Sequence, residues 1–190
     1  MIEEQLQEIV QVFESIRQML SDSILVASNI ITDAYKRGNK VLLCGNGGSA
    51  ADAQHIAAEL LGRFYKDRSP LPAIALHANS SYMTAVANDY GYEEVFSRAV
   101  KAFGRPGDVL IAISTSGNSD NVIQAVKVAK DIGMRTIALT GASGGMLAHI
   151  ADVVIRVPSN DTPRIQEGHI AIGHIICSIV EQNLFGGKHD

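Results

Sequence analysis

The chain of 190 residues is 46% hydrophobic and 19% charged, with a formal net charge of −4, the composition of a globular protein able to bury a real core. No basic run or stripe favours a nucleic-acid backbone, and no apolar run approaches the ~18 residues that read as a membrane span. The acidic start MIEEQLQEIV lacks the basic and apolar regions of a signal peptide, and Cys44 and Cys177 form no CxxC pair. Two buried reduced thiols in a cytoplasmic protein are therefore expected.

Residues 3–38 read as helix. Leu6, Ile9, Phe13, Ile16 and Leu20 recur every three or four positions, and Ser21-Asp22-Ser23 offers a break with a fresh N-cap. A second helix carries Ile24, Leu25, Ile30, Ile31, Ala34 and Tyr35 and closes near Arg37-Gly38. A seam this regular suits packing against another chain or against the chain's own sheet.

From Lys40 onward the pattern changes to strand, turn and helix. Short apolar runs at Val41–Cys44, Ala73–Leu76, Val109–Ile113, Thr136–Leu139 and Val153–Val157 fit strands buried on both faces of a parallel sheet. Helical patterns fill 49–61, 80–88, 93–103, 119–132 and 145–150, and a long helix runs from about 163 to 185. This alternation predicts one α/β domain with a doubly wound, five-stranded parallel sheet, whose ligands bind at the carboxyl ends of the strands.

Two loops and two helices carry the chemistry. Gly45-Asn46-Gly47-Gly48-Ser49-Ala50 fits the loose G-x-G-x-x-A fingerprint of a dinucleotide site. That fingerprint needs an acidic residue closing the next strand, and here the strand ends Leu76-His77-Ala78-Asn79. What remains is a turn whose backbone N–H groups can approach a ligand at a helix N-terminus. The second loop, Ile113-Ser114-Thr115-Ser116-Gly117-Asn118-Ser119, offers four hydroxyls at the start of a helix and no lysine. It suits the phosphate monoester of a small metabolite, unless Ser119 merely caps the helix that follows.

Behind the first loop, His55 and Glu59 stand at i and i+4. An imidazole and a carboxylate on one helix face can converge on a metal ion, although the same spacing also occurs on solvated faces. In the last helix, His174 lies among isoleucines, and Gln166 precedes it by roughly 12 Å of regular helix. His169 and Glu167 are rival ligand candidates.

Taken together, CGNGGS, H-x-x-x-E, ISTSGNS, LTGASGG and RIQE-x-H resemble the sugar isomerase (SIS) domain, and more closely the bacterial phosphoheptose isomerases. The resemblance runs nearly the full length. It implies one SIS domain over 1–190, with residues 1–38 a helical oligomerisation segment and 39–190 the α/β core and C-terminal helix. It further implies zinc, one ion per subunit, held by His55, Glu59, Gln166 and His174, with Glu59 and His174 as catalytic base and acid. Sugar-phosphate contacts fall by the same resemblance on Asn46, Gly47, Gly48, Glu59, Arg63, Asn88, Asp89, Ser114, Thr115, Ser116, Ser119 and Gln166. The implied protein is a cytoplasmic homotetramer converting a ketose phosphate to an aldose phosphate for lipopolysaccharide-core biosynthesis. A rival from another class is a non-catalytic SIS tetramer that binds a replication initiator protein; such relatives are expected to lack the counterparts of Glu59 and His174.

Overall fold

The structure, a computed structural model, describes residues 1–186. Five parallel strands form one sheet: β1 (Val41–Gly45), β2 (Ala73–Ala75), β3 (Val109–Ile113), β4 (Arg135–Thr140) and β5 (Val153–Arg156). Their order is β2-β1-β3-β4-β5. The chain winds outward to one side after β1 and to the other after β3. Such a reversal leaves a crevice at the carboxyl ends of the two central strands. Here β1 and β3 pair in register from Val41 opposite Val109 to Gly45 opposite Ile113, so the loops that follow them leave the sheet at the same level.

Strand alternation divides the core in two. Val41, Leu43, Val109, Ile111 and Ile113 face one apolar layer, while Leu42, Cys44, Leu110 and Ala112 face the other. The first layer is roofed by α2 (Ser21–Lys36), α3 (Gly48–Leu61) and α8 (Thr162–Phe185). The second is closed by α4 (Ser80–Tyr90), α5 (Val95–Phe103), α6 (Asp120–Ile132) and α7 (Leu147–Ile150). Helices on both faces explain why the strands read as unbroken apolar runs rather than alternating ones. Asn79 caps α4 by accepting a hydrogen bond from Tyr82 N at 3.0 Å, and Pro163 in the first turn of α8 costs that helix no hydrogen bond.

The N-terminal helices depart from the sequence pattern in detail. The break falls at Leu20, between α1 (Ile2–Met19) and α2, with no side-chain cap. Ser21 and Ser23 turn back to bond Arg17 O and Leu20 O, so the hydroxyls expected to cap the new helix serve the preceding turn. Ile24, Ala27 and Ile31 of α2 are buried against the sheet and α8, whereas Leu25 is exposed, pointing away from that contact. In α1 only Ile16 is buried. Leu6, Val10 and Phe13 stay exposed, and Val10 and Phe13 line, with Ile24, Ile175 and Ile179, an apolar groove of about 940 Å³. The seam thus has two destinations: α2 covers its own sheet, and α1 presents an uncovered apolar face.

Candidate active site

The loop after β1 turns into α3 through Gly47, whose φ of +54° is strained for any residue with a Cβ. The turn closes on itself, Asn46 O accepting from Ser49 N at 2.9 Å and Gly47 O from Ala51 N at 3.1 Å. Gln166, near the start of α8, lies directly against Gly48, where an added Cβ would collide with its amide. Asn46 turns away from open solvent: its Nδ2 donates to Asn121 Oδ1, and its Oδ1 accepts from Asn121 Nδ2, both at 2.9 Å.

The loop after β3 is folded around its own hydroxyls. Ser114 is buried, with its Oγ 2.9 Å from Ser119 Oγ and 3.5 Å from Ser116 Oγ, and Ser116 Oγ accepts from Asn118 N at 3.1 Å. Ser119 occupies the N-cap position of α6 but makes no side-chain cap bond; its hydroxyl serves the loop. Gly117 carries φ of +68°, and any Cβ there would overlap the carbonyl of Gly144. Thr115 O accepts from Gly141 N at 2.9 Å, which locks this loop to the end of β4. A polar cleft of about 170 Å³ lined by Thr115, Ser116, Ser143, Ser159 and Asn160 opens beside it. Hydroxyls and free helix N–H groups of this kind suit an anion.

Across the crevice, α3 and α8 bring three ligand-type side chains together. His55 Nε2 lies 3.1 Å from Glu59 Oε1 and 3.1 Å from His174 Nε2. One donor atom from each of the three lies within 4.8 Å of the others. Tetrahedral zinc with bonds of ~2.0–2.1 Å separates neighbouring ligand atoms by roughly 3.3 Å, so the two short edges fit such an ion. The donor types fit as well, being two imidazoles and one carboxylate. An open cleft of about 500 Å³ lies over this face, lined by Ala51, Gln54, His55, Ala58 and Glu59.

The rival candidates are removed by their partners. His169 is fully buried, with Nε2 3.1 Å from Thr140 O, and burial pushes its pKa down to about 4. Glu167 pairs with Arg164 at 2.7 Å. Arg63, Asn88 and Asp89 are exposed and, among the described residues, make no hydrogen bond to the triad or to either loop; Asn88 donates to Asp89 at 2.9 Å.

Four residues near the site escape the sequence pattern. Phe64 stacks on His174, ring centroids 5.8 Å apart and planes 29° apart. Glu181 sets Phe64 in place: its carboxylate accepts from the backbone N–H of Phe64, Tyr65 and Lys66 and pairs with Arg68 at 3.0 Å. Asp52 lies three residues before His55 on α3; burial pushes its carboxyl up to about 6, against the opposing influence of His55, and its Oδ2 has no partner. Asn121 is the fourth. Its only local signal is a polar residue at the second position of the helix that follows the serine-rich loop.

Comparison with known proteins agrees with this arrangement. Residues 5–141 match the family model of the SIS domain. The chain is 56% identical over 162 residues to the phosphoheptose isomerase of Rhodospirillum rubrum, covering 85% of this chain and 86% of that one. Among solved structures it is similar to phosphoheptose isomerases from Neisseria gonorrhoeae (TM-score 0.91, 43% identity, 95% of this chain and 97% of that one) and from Francisella tularensis (TM-score 0.93, 40% identity, 95% and 96%).

Proposed function

The chain belongs to the SIS-domain family and, within it, to the phosphoheptose isomerases, and from that premise we propose that it interconverts sedoheptulose 7-phosphate and D-glycero-D-manno-heptose 7-phosphate. The observation that carries this reading is the convergence of His55, Glu59 and His174 beside two anion-type loops at one sheet edge.

The reaction moves one hydrogen between C1 and C2 of the sugar through an enediol. Glu59 takes the proton from C1 as the C1–C2 double bond forms and returns it to C2. His174 moves the second proton between the oxygens on C1 and C2. Each proton transfer by a positioned side chain is worth typically ~10²–10⁴ in rate. The loop Ser114–Ser119 holds the phosphate, and Gly47, Gly48 and the backbone of Asn46 contact the sugar. Gln166, seated on Gly48, and the exposed Arg63, Asn88 and Asp89 are assigned the remaining sugar contacts. His55, Glu59 and His174 would hold zinc, with Gln166 as the fourth ligand. Zinc at that position supplies Lewis-acid polarisation of the substrate carbonyl.

The wider setting belongs to the same reading. The uncovered apolar face of α1 and α8 supports a homotetramer, with the groove covered by another copy. The product would feed ADP-heptose and lipopolysaccharide-core biosynthesis in the cytoplasm. The rival reading, a non-catalytic binder of a replication initiator, has no support from the relatives, and Glu59 and His174 are both present and converge.

A coupled assay on wild type, Glu59→Gln and His174→Ala tests the proposal. Wild type should turn over sedoheptulose 7-phosphate with zinc supplied, and each variant should lose at least ~100-fold in kcat. An inactive wild type, or two fully active variants, overturns it. Light scattering on Val10→Glu tests the tetramer, which should fall to a smaller species.

A further inference from the structure

The loop after β1 and the first turn of α6, which follows the loop after β3, are joined by a side-chain contact. Asn46 in the first loop and Asn121 in the first turn of α6 exchange two hydrogen bonds of 2.9 Å across 75 residues of sequence. The amide orientations are fixed by their surroundings. Asn121 Oδ1 accepts from its neighbour Val122 N at 2.9 Å, so Nδ2 must face Asn46 Oδ1. Tyr92 OH donates to the same Asn46 oxygen at 3.1 Å. The Asn46 oxygen thus accepts twice, its Nδ2 is engaged by Asn121, and Asn121 itself is only 4% exposed. Such a pair is rigid, because each partner removed leaves a polar group unmet at a sheltered site.

Its place in the fold gives the pair a task. It bridges the crevice where β1 and β3 diverge and the windings of the chain reverse. On one side, two residues beyond Asn46, the chain enters α3, which carries His55 and Glu59. On the other, two residues before Asn121, lies Ser119 of the phosphate loop. Phosphate and reacting carbons of a seven-carbon chain sit far apart, so the spacing of the two loops decides whether both ends of the substrate are held together. We propose that Asn121 is a positioning residue for the isomerisation, holding the sugar loop at a fixed distance from the phosphate loop through the side chain of Asn46. This rests on the isomerase reading above.

The experiment compares wild type, Asn121→Ala, Asn121→Asp, Asn46→Ala, Tyr92→Phe and the Asn46→Ala/Asn121→Ala double variant. It measures KM and kcat for the ketose phosphate, Ki for inorganic phosphate as competitor, and Tm. Asn121→Ala should raise KM about tenfold, the equivalent of ~1.4 kcal/mol, with kcat changed less than twofold. Ki for inorganic phosphate should not move, because that probe needs only one loop. Asn121→Asp retains the bonds accepted from Val122 and Asn46 but sets a second acceptor against Asn46 Oδ1 at a buried position, so it should lose at least as much as Asn121→Ala. The double variant should be no worse than the poorer single one, since both remove the same contact. Tyr92 is half exposed, so Tyr92→Phe keeps the fold and should still raise KM two- to threefold.

An unchanged KM in Asn121→Ala and Tyr92→Phe overturns the proposal. So does additivity in the double variant, or a phosphate Ki that rises in step with KM. An inactive wild type would bring down the isomerase reading and this proposal together. An active wild type with indifferent Asn121 variants brings down this proposal alone.

Discussion

The Nε2 atoms of His55 and His174 stand 3.1 Å apart although 119 residues separate them in sequence. Two imidazole nitrogens at that distance cannot both point a proton at each other, and the carboxylate of Glu59 closes the third side. A divalent cation satisfies all three at once.

On the zinc reading proposed above, a chelator should abolish turnover, and added zinc should restore it. In a competition titration, His174→Ala should bind zinc more than ~100-fold more weakly than wild type, beyond the range typical of losing a residue that only supports a ligand. Equal affinity would place the metal elsewhere.

Glu181 and Arg68 form an ion pair whose side chains are 3% and 2% exposed, and the same carboxylate accepts three backbone N–H bonds from the loop after α3. Glu181→Ala leaves a buried guanidinium without its counter-charge, a loss of about 3–5 kcal/mol. For a chain of this size that corresponds to a fall in Tm of roughly 6–20 °C by calorimetry. The stacking of Phe64 on His174 should loosen with it, so kcat should fall even well below the new Tm.

His169 predicts a pH dependence. Its pKa is pushed down to about 4 by burial, from the ordinary 6.5. Above pH 6.5 the imidazole is neutral in both folded and unfolded chains, and the full stability is present. As pH falls from 6.5 toward 4, the unfolded chain gains a proton that the folded chain refuses. Stability drops over that window by about 3 kcal/mol. His169→Gln keeps an N–H donor toward Thr140 and does not titrate. Its denaturant midpoint should depend less on pH between 4 and 6.5 than that of wild type.

Gly117→Ala tests the phosphate role proposed for the loop after β3. A Cβ at φ of +68° both strains the backbone and overlaps Gly144. The Ki for inorganic phosphate should rise at least about tenfold, whereas zinc affinity should stay at the wild-type value.

Both thiols should be inert in the folded protein. Burial pushes Cys44 and Cys177 up to about 12, so no thiolate is present near neutrality. A disulfide reagent should titrate neither in native buffer and two per chain in denaturant.

The parts of this molecule legible in the sequence are those governed by local pattern. Val41–Cys44 and Val109–Ile113 read as buried strands because both faces are covered, and no polar residue needs to interrupt them. The loop after Ile113 and the helix that starts at Asp120 were legible because a hydroxyl-rich turn and a helix start can be recognised from neighbours alone. The opposite holds for Ser21 and Ser23, whose hydroxyls found the preceding turn instead of the new helix. Pattern also could not choose among Gln166, Glu167, His169 and His174. The choice depends on which way α8 rotates as it crosses the sheet, turning His169 to Thr140, Gln166 to Gly48 and His174 to His55. The Asn46–Asn121 pair was invisible for the same reason, since it exists only once two strands have been placed side by side.

The order in which the triad's members leave the ribosome has a consequence of its own. His55 and Glu59 are synthesised early, and on α3 alone they offer a metal two ligands at most. The third arrives only with residue 174, after all five strands have been made. A nascent chain can thus build its sheet before the three-residue cluster exists, so a metal ion held by that cluster would have no strong hold on a half-made protein. Loading of such an ion would be a last step of assembly, available only to chains whose final helix has docked.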